Sequence, residues 1–407
     1  MIKLYGVQIA YGYCAEARDF ALLLSGRSAN LDARVLMHTD PAEERDVQRF
    51  ASVARCGVVS LDTGWRRNTT GRQRRLLVRA GIATQFLLAR HTIANDARRY
   101  DPDVVYSGQQ RYDLFAASLA ADRTGEPQVV HLHYTVGPYL GFQALRRLRT
   151  CAHVVTVSDY VSRCALAHGV SEDRITRVYN PMDPMPELPV SVRMGVRREL
   201  GIPDSAFVFG IVSRFDPRKN HADLIQAFAG IARKAADAWL LVVGYGPAQE
   251  ATIRARAAEC GAGHRIVFTG YRSDVARLHA AMDVFTHPAT AEAFGLAVGE
   301  ASASGLPVVA YDDGAASEMV VNGQTGLLVP HRDVDALADA MLALYREPER
   351  IAPMGQAGRA YVASTFSNKI VAPQFEATIA RVAGTAPDRI NPGLPEAPME
   401  VDRLATQ

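Results

Sequence analysis

The sequence predicts an α/β protein of two domains, each a parallel sheet covered by helices, the second reading as doubly wound. Three observations predict it. At 407 residues the chain is too long for one ordinary core and suits two domains of about 150–200 residues each. Short β-branched runs alternate with helix-length amphipathic segments over most of its length, the pattern of a parallel sheet covered by helices. That alternation breaks once, at Asn180–Pro189, where four prolines fall within ten residues. Proline lacks an amide donor and restricts the residue before it, so neither helix nor strand continues through this stretch. The interdomain linker belongs here.

In the first half the strand runs are Leu4–Ala10, Arg34–Met37, Asp103–Tyr106, Val129–Leu132, Val154–Val157 and Ile175–Tyr179, with helical patterns at Ala15–Leu24, Leu76–Ala97 and Asp113–Ala121. After the linker, Phe207–Val212, Leu240–Val243, Ile266–Phe268, Val284–Thr286 and Pro307–Ala310 read as buried strands. His221–Lys234, Ala248–Glu259 and Phe294–Ser304 read as the helices that follow them. In such a domain ligands sit at the carboxyl ends of the strands.

Hydrophobic residues make up 48% and charged residues 22%, which excludes a disordered chain. A formal net charge of +2 is too small for bulk nucleic-acid binding, so no nucleic-acid partner is expected. Residues 1–185 carry 24 basic and 18 acidic side chains, the remainder 21 and 25. The local excess lies in Arg66, Arg67, Arg72, Arg74, Arg75 and Arg79. A solvated loop and helix face is the preferred reading of that stretch over a patch for an anionic acceptor or peripheral membrane contact. Five scattered cysteines without paired spacing (Cys14, Cys56, Cys151, Cys164, Cys260) suit reduced thiols. The opening MIKLYGVQIAYGY does not read as a signal peptide, and no apolar run reaches 18 residues. A soluble, cytoplasmic protein is expected.

The strongest chemical signal is Glu292-Ala-Phe-Gly-Leu-Ala-Val-Gly-Glu300, followed by Ala-Ser-Ala-Ser-Gly-Leu-Pro-Val-Val. It follows a predicted strand and the turn His287-Pro288-Ala289, which puts Glu292 in a strand-to-helix loop and Phe294, Gly295 and Leu296 at a helix entrance. Free amides of a first helical turn favour an anion such as a diphosphate. Glu300 lies eight residues on, so two turns of helix are expected to return it to the same ligand, where a carboxylate can accept from ribose hydroxyls. Ser213-Arg214-Phe-Asp-Pro-Arg-Lys219-Asn220-His221 places two cations on another strand-to-helix loop, suited to neutralising a diphosphate leaving group.

These two segments together resemble the signature of retaining glycosyltransferase family 4, which has the GT-B fold; the resemblance implies two Rossmann-like, doubly wound domains facing each other across a cleft. The resemblance implies a nucleoside-diphosphate-sugar donor, a UDP-sugar being the family-level expectation, and an acceptor with a free hydroxyl. It implies that Arg214 and Lys219 grip the donor diphosphate, with Glu292 on the sugar and Glu300 on the ribose. Leu241-Val-Val-Gly244-Tyr-Gly246-Pro is similar to the family's V-G-x-G-P turn, and Phe268-Thr-Gly270-Tyr-Arg272 to its F-x-G segment, whose backbone contacts the nucleobase. Tyr179-Asn180-Pro181-Met-Asp183 resembles its N-G-(I/V)-D turn, with proline where glycine is usual. The first-strand loop Gln8–Glu16 has one glycine, Gly12, in place of the family's pair, and Gly12 is the candidate for approach to phosphate. His133, in His131-Leu-His133-Tyr-Thr-Val-Gly137, corresponds to a histidine near the transferred sugar.

The domains expected on this basis are an acceptor-binding domain at 1–183 and a nucleotide-sugar-binding domain at 184–365. A helix at 366–384 is expected to return to the first domain, and 385–407, rich in proline and small polar residues, reads as a mobile tail. No cofactor beyond the donor and no catalytic metal are expected. Asp101-Pro-Asp103 reads as a turn before a strand rather than a metal motif, and Asp312-Asp313-Gly314 as turn chemistry beside the donor pocket. Gly244-x-Gly246 lacks a third dinucleotide-motif glycine, since Gln249 stands there. That weighs against a dinucleotide-dependent oxidoreductase. A sugar-nucleotide epimerase of GT-B shape would share these motifs but need no acceptor, and a non-catalytic sugar-binding protein would share the fold without needing Arg214, Lys219 and Glu292 together. For the acceptor, a small polyhydroxylated or aminocyclitol-like metabolite is favoured over a glycolipid or polysaccharide.

Overall fold

The computed structural model describes residues 1–8, 15–38, 44–61, 92–108 and 112–384. Gly12, Cys14, the basic stretch Arg66–Arg79 and the expected tail at 385–407 lie outside the described residues.

Among the described residues, two all-parallel sheets carry the fold. The first has seven strands: β1 (Ile2–Gln8), β2 (Leu31–His38), β3 (Gly57–Leu61), β4 (Val104–Ser107), β5 (Gln128–Leu132), β6 (His153–Thr156) and β7 (Ile175–Arg177), in the order β3-β2-β1-β4-β5-β6-β7. The second has six: β8 (Phe207–Val212), β9 (Ala238–Val243), β10 (Ile266–Gly270), β11 (Val284–His287), β12 (Val308–Tyr311) and β13 (Gly326–Val329), in the order β10-β9-β8-β11-β12-β13. In each sheet the strand order reverses beside the first strand, between β1 and β4 and between β8 and β11. Doubly wound sheets open a ligand crevice at that switch point.

β4, β5 and β6 are buried at every position, as strands of a parallel sheet covered on both faces are. Residues 178–189 form neither helix nor strand. The chain passes between the sheets there, tied by Met182 N–H to Phe366 O (2.7 Å) and Met185 N–H to Ala303 O (3.2 Å). It returns at 366–368, where Asn368 N–H reaches the Asp183 carboxylate (3.2 Å). The helix Asn368–Val382 then lies on the first sheet, with Phe375 edge-on to Tyr106 (5.6 Å) and Phe20 (6.2 Å).

Six histidines are buried among the described residues: His131, His133, His153, His221, His279 and His287. Burial pushes His133, His153, His221 and His279 each down to about 4 from the ordinary 6.5. Their folded-state values lie below the unfolded one, so between pH 6.5 and 4 the unfolded chain binds more protons and stability falls as pH falls. Each ring costs about 1.4 kcal/mol per pH unit across that window. The urea midpoint should therefore drop clearly from pH 7.5 to pH 5, and an unchanged or higher midpoint at pH 5 would contradict these burials.

Candidate active site

The loop leaving β8 is anchored residue by residue. Ser213 N–H bonds Val243 O (3.0 Å) and Phe215 N–H bonds Tyr245 O (3.1 Å), with the Phe215 ring buried. Between them Arg214 is exposed; its carbonyl accepts Asp216 N–H (2.9 Å), while its guanidinium makes no hydrogen bond or ion pair among the described residues. Asp216 accepts from Arg218 N–H (3.0 Å) and caps the short turn Pro217–Lys219. Asn220 is left-handed (φ 47°), a conformation asparagine tolerates, and donates from Nδ2 to Pro288 O (2.9 Å). Thr290 N–H bonds Arg218 O (2.8 Å). The loops after β8 and β11, the two strands at the switch point, are thereby stitched together.

The second loop carries Glu292. Ala291, at φ 51°, gives its N–H to Asp313 Oδ1 (3.0 Å), and Ala315 N–H bonds Glu292 O (2.9 Å). Gly314 (φ 65°) packs so closely that a Cβ there would fall 2.4 Å from Glu292 O. The Asp312–Gly314 turn thus buttresses Glu292. The Glu292 carboxylate pairs with Lys219 Nζ, and His287 Nε2 lies 3.4 Å from the same oxygen, Oε2. Burial opposes its ionisation, but the His287 hydrogen bond and the Lys219 charge outweigh that and hold it well below the usual carboxylate range.

The following helix spans Leu296–Ala303. Its N-cap is Gly295 (φ 97°), so no side chain caps the first-turn amides. Because the helix starts at Leu296, Glu292 and Glu300 are related as loop to helix, not as two turns of one helix. Glu300 receives Arg18 Nη1 (3.1 Å) from the first domain's helix Ala15–Ser25, across the cleft. Arg18 also meets Asp19, whose carboxyl burial pushes up to about 7 against the opposing pull of Arg18.

Other expected donor contacts lie differently. The Phe294 ring is only 3% exposed and packs on Tyr179 (5.9 Å) and Phe366 (5.7 Å), beside the two chain crossings between the sheets. Gly270 ends β10 at φ 71° and accepts Gly244 N–H (3.0 Å). The Arg272 guanidinium does not join Arg214 and Lys219. It makes two bonds to Asp274 (both 2.7 Å) and one to Glu199 (2.6 Å).

His133 follows β5 and lies 7% exposed, its ring 4.2 Å from that of His131, beside Glu16 and Asn180. The first domain also holds the Glu292 loop directly. Ser158 Oγ donates to Ala293 O (2.6 Å), and the Glu318 carboxylate accepts Asp159 N–H (2.8 Å) and Tyr160 N–H (2.9 Å). Among the described residues no group of three or more His, Cys, Asp or Glu could hold a metal ion, and no helix is long and apolar enough to cross a membrane.

Residues 194–361 match the family model for glycosyl transferases group 1, and residues 28–185 that for glycosyltransferase family 4. The chain is 33% identical over 307 residues, 68% of itself and 77% of the relative, to a GDP-mannose-dependent alpha-(1-6)-phosphatidylinositol monomannoside mannosyltransferase of Mycolicibacterium smegmatis. It is 28% identical over 291 residues, 66% of itself and 75% of the relative, to a 2-deoxystreptamine glucosyltransferase of Streptomyces kanamyceticus. Among solved structures, Anabaena HepE in complex with UDP and glucose superposes with a TM-score of 0.76 at 21% identity, covering 93% of this chain and all of that one. The two stitched loops thus occupy the switch point of a GT-B protein, and the chain belongs to glycosyltransferase family 4.

Proposed function

We propose that the protein transfers a hexosyl group, with retention of anomeric configuration and without a metal ion, from a nucleoside diphosphate sugar to a hydroxyl of a small polyhydroxylated acceptor. The observation that carries this reading is the juxtaposition of an unpaired Arg214, Lys219 and an uncapped helix start with the ionised Glu292 at one switch point. Arg214, Lys219 and the amides from Leu296 onward take the diphosphate and the charge it gains on leaving. Glu300 exchanges Arg18 for ribose hydroxyls, Glu292 accepts from the sugar's hydroxyls, and neutral His133 lines the sugar's other side. Gly270 offers backbone to the base.

In the reaction the anomeric carbon–phosphate oxygen bond breaks and its electron pair goes to the diphosphate. The acceptor oxygen bonds the same face of that carbon and gives its proton to the departing phosphate oxygen. No covalent sugar–protein intermediate forms, so trapping a sugar on Glu292 would overturn this step.

The mannosyltransferase relatives make GDP-mannose the first donor to test, beside the UDP-sugars that the family resemblance implies. The acceptor named for the Streptomyces relative is an aminocyclitol, so a cyclitol ring is the acceptor class we favour. Calorimetric titration with GDP, UDP and ADP identifies the base. Lys219→Ala should weaken whichever diphosphate binds by about 10- to 100-fold, the worth of one charge-assisted phosphate contact. Unaltered diphosphate affinity in both Lys219→Ala and Arg214→Ala would defeat the assignment.

A further inference from the structure

His287 has no part in the reaction just described, yet it touches the central group of that chemistry. It closes β11 with its side chain only 3% exposed, and its ring stacks on Phe285 (6.1 Å between centroids, 17° between planes). Burial lowers its pKa below the ordinary value, so the ring is neutral near pH 7. Nδ1 has no hydrogen-bond partner among the described residues, while Nε2 faces the Glu292 carboxylate. A neutral imidazole in that setting carries its proton on Nε2 and donates it to the carboxylate.

Lys219 and His287 meet the same oxygen of Glu292, Oε2, and neither occupies Oε1. The two partners differ in what a donor does to them. A diphosphate carries more negative charge than one carboxylate and draws the mobile Lys219 ammonium toward itself. It exerts no comparable pull on a neutral ring fixed in the sheet. Once Lys219 is shared, no other hydrogen bond among the described residues restrains the Glu292 carboxylate, whose side chain is 24% exposed. It would then swing toward water unless His287 kept it.

We propose that His287 is a positioning residue: it holds Glu292 by Oε2 while Lys219 turns to the diphosphate, so that Oε1 stays aimed at the hydroxyls of the transferred sugar. This deepens, and rests on, the roles proposed for Glu292 and Lys219 in sugar transfer. The 3.4 Å contact is long because Lys219 competes for the same oxygen, and it shortens when that competition ends.

The test separates grip on the nucleotide from grip on the sugar. His287→Phe preserves ring bulk and stacking on Phe285 but removes the donor, and His287→Gln restores an N–H. Free GDP and UDP are titrated, and kcat/KM is measured with GDP-mannose against GDP-glucose, or UDP-glucose against UDP-galactose, whichever pair is turned over. With His287→Phe, diphosphate affinity should stay within about twofold while kcat/KM falls about 10- to 100-fold, the cost of one hydrogen bond to a charged group. Discrimination between the epimeric sugars should shrink, and His287→Gln should recover most of both losses. Parallel loss of diphosphate and donor binding with epimer discrimination intact would overturn the proposal, as would wild-type behaviour. His287→Leu gives the same readouts if the phenylalanine variant does not fold. Glu292→Gln is run alongside. If it is impaired and His287→Phe is not, the role of His287 alone falls. If Glu292→Gln itself turns over normally, the underlying reading falls and takes this one with it.

Discussion

Glu292→Gln should lower kcat/KM for sugar transfer by about 100- to 1,000-fold, the range for removing one preorganised electrostatic contact, while nucleoside diphosphate binding holds or tightens. The two effects have opposite signs for one reason. In the unliganded protein the Glu292 carboxylate holds Lys219 and is itself kept ionised by that charge and by His287. Glutamine keeps the shape but gives up the charge. The donor sugar loses an anionic hydrogen-bond acceptor, whose strength is roughly twice that of a neutral one. Lys219 loses its competing anion and is freer to meet the diphosphate. Calorimetry with GDP and UDP beside initial-rate measurements separates the two terms. Turnover and diphosphate affinity falling together would place Glu292 on the nucleotide, not the sugar.

The loops that carry this chemistry were legible because each is local. Glu292 lies five residues past the end of β11, and Lys219 seven past β8, so strand prediction alone delivers both to one edge of a doubly wound sheet. What lies far apart in the chain was not legible. Arg18 reaches Glu300 across 282 residues of sequence, and Glu318 caps the helix Asp159–Ala167 of the other domain across 159. No periodicity marks such pairs, because they depend on how two domains meet. Arg272 shows a different limit: its neighbour Asp274, two residues on, takes the guanidinium in two bonds, a local pairing that the motif match did not reveal. Phe294 was expected at the helix entrance by its backbone; the packing of its ring with Tyr179 and Phe366 was not legible.

The strands divide in the same way. β8 was legible end to end, since a central strand buried over its four inner residues is a continuous apolar run. β3 and β13 were missed. Both are edge strands of four or five residues that open on glycine, Gly57 and Gly326, and such short segments lack the length and side-chain pattern that distinguish a strand from a turn.

Gly244-x-Gly246 was legible only as a tight turn, and its physical purpose gives the second large expected effect. Gly244 sits at φ 148°, and a Cβ there would fall 1.8 Å from Ser213 O, while one on Gly246 would fall 2.6 Å from Phe215 O. Both glycines therefore press against the two residues that flank Arg214. Gly244→Ala must displace backbone, not a yielding side chain, so about 2–3 kcal/mol of stability should be lost. The displaced strand end is the one that presents Arg214, so diphosphate affinity should fall with it. Gly261→Ala is the control. That residue also has a positive φ (77°), but nothing lies within 4 Å of its new Cβ, so only the left-handed strain of about 1–2 kcal/mol remains and the donor site is untouched. Urea denaturation and GDP or UDP titration of the two variants settle the matter. If both lose stability equally and both keep wild-type diphosphate affinity, the glycines do not shape the Arg214 loop.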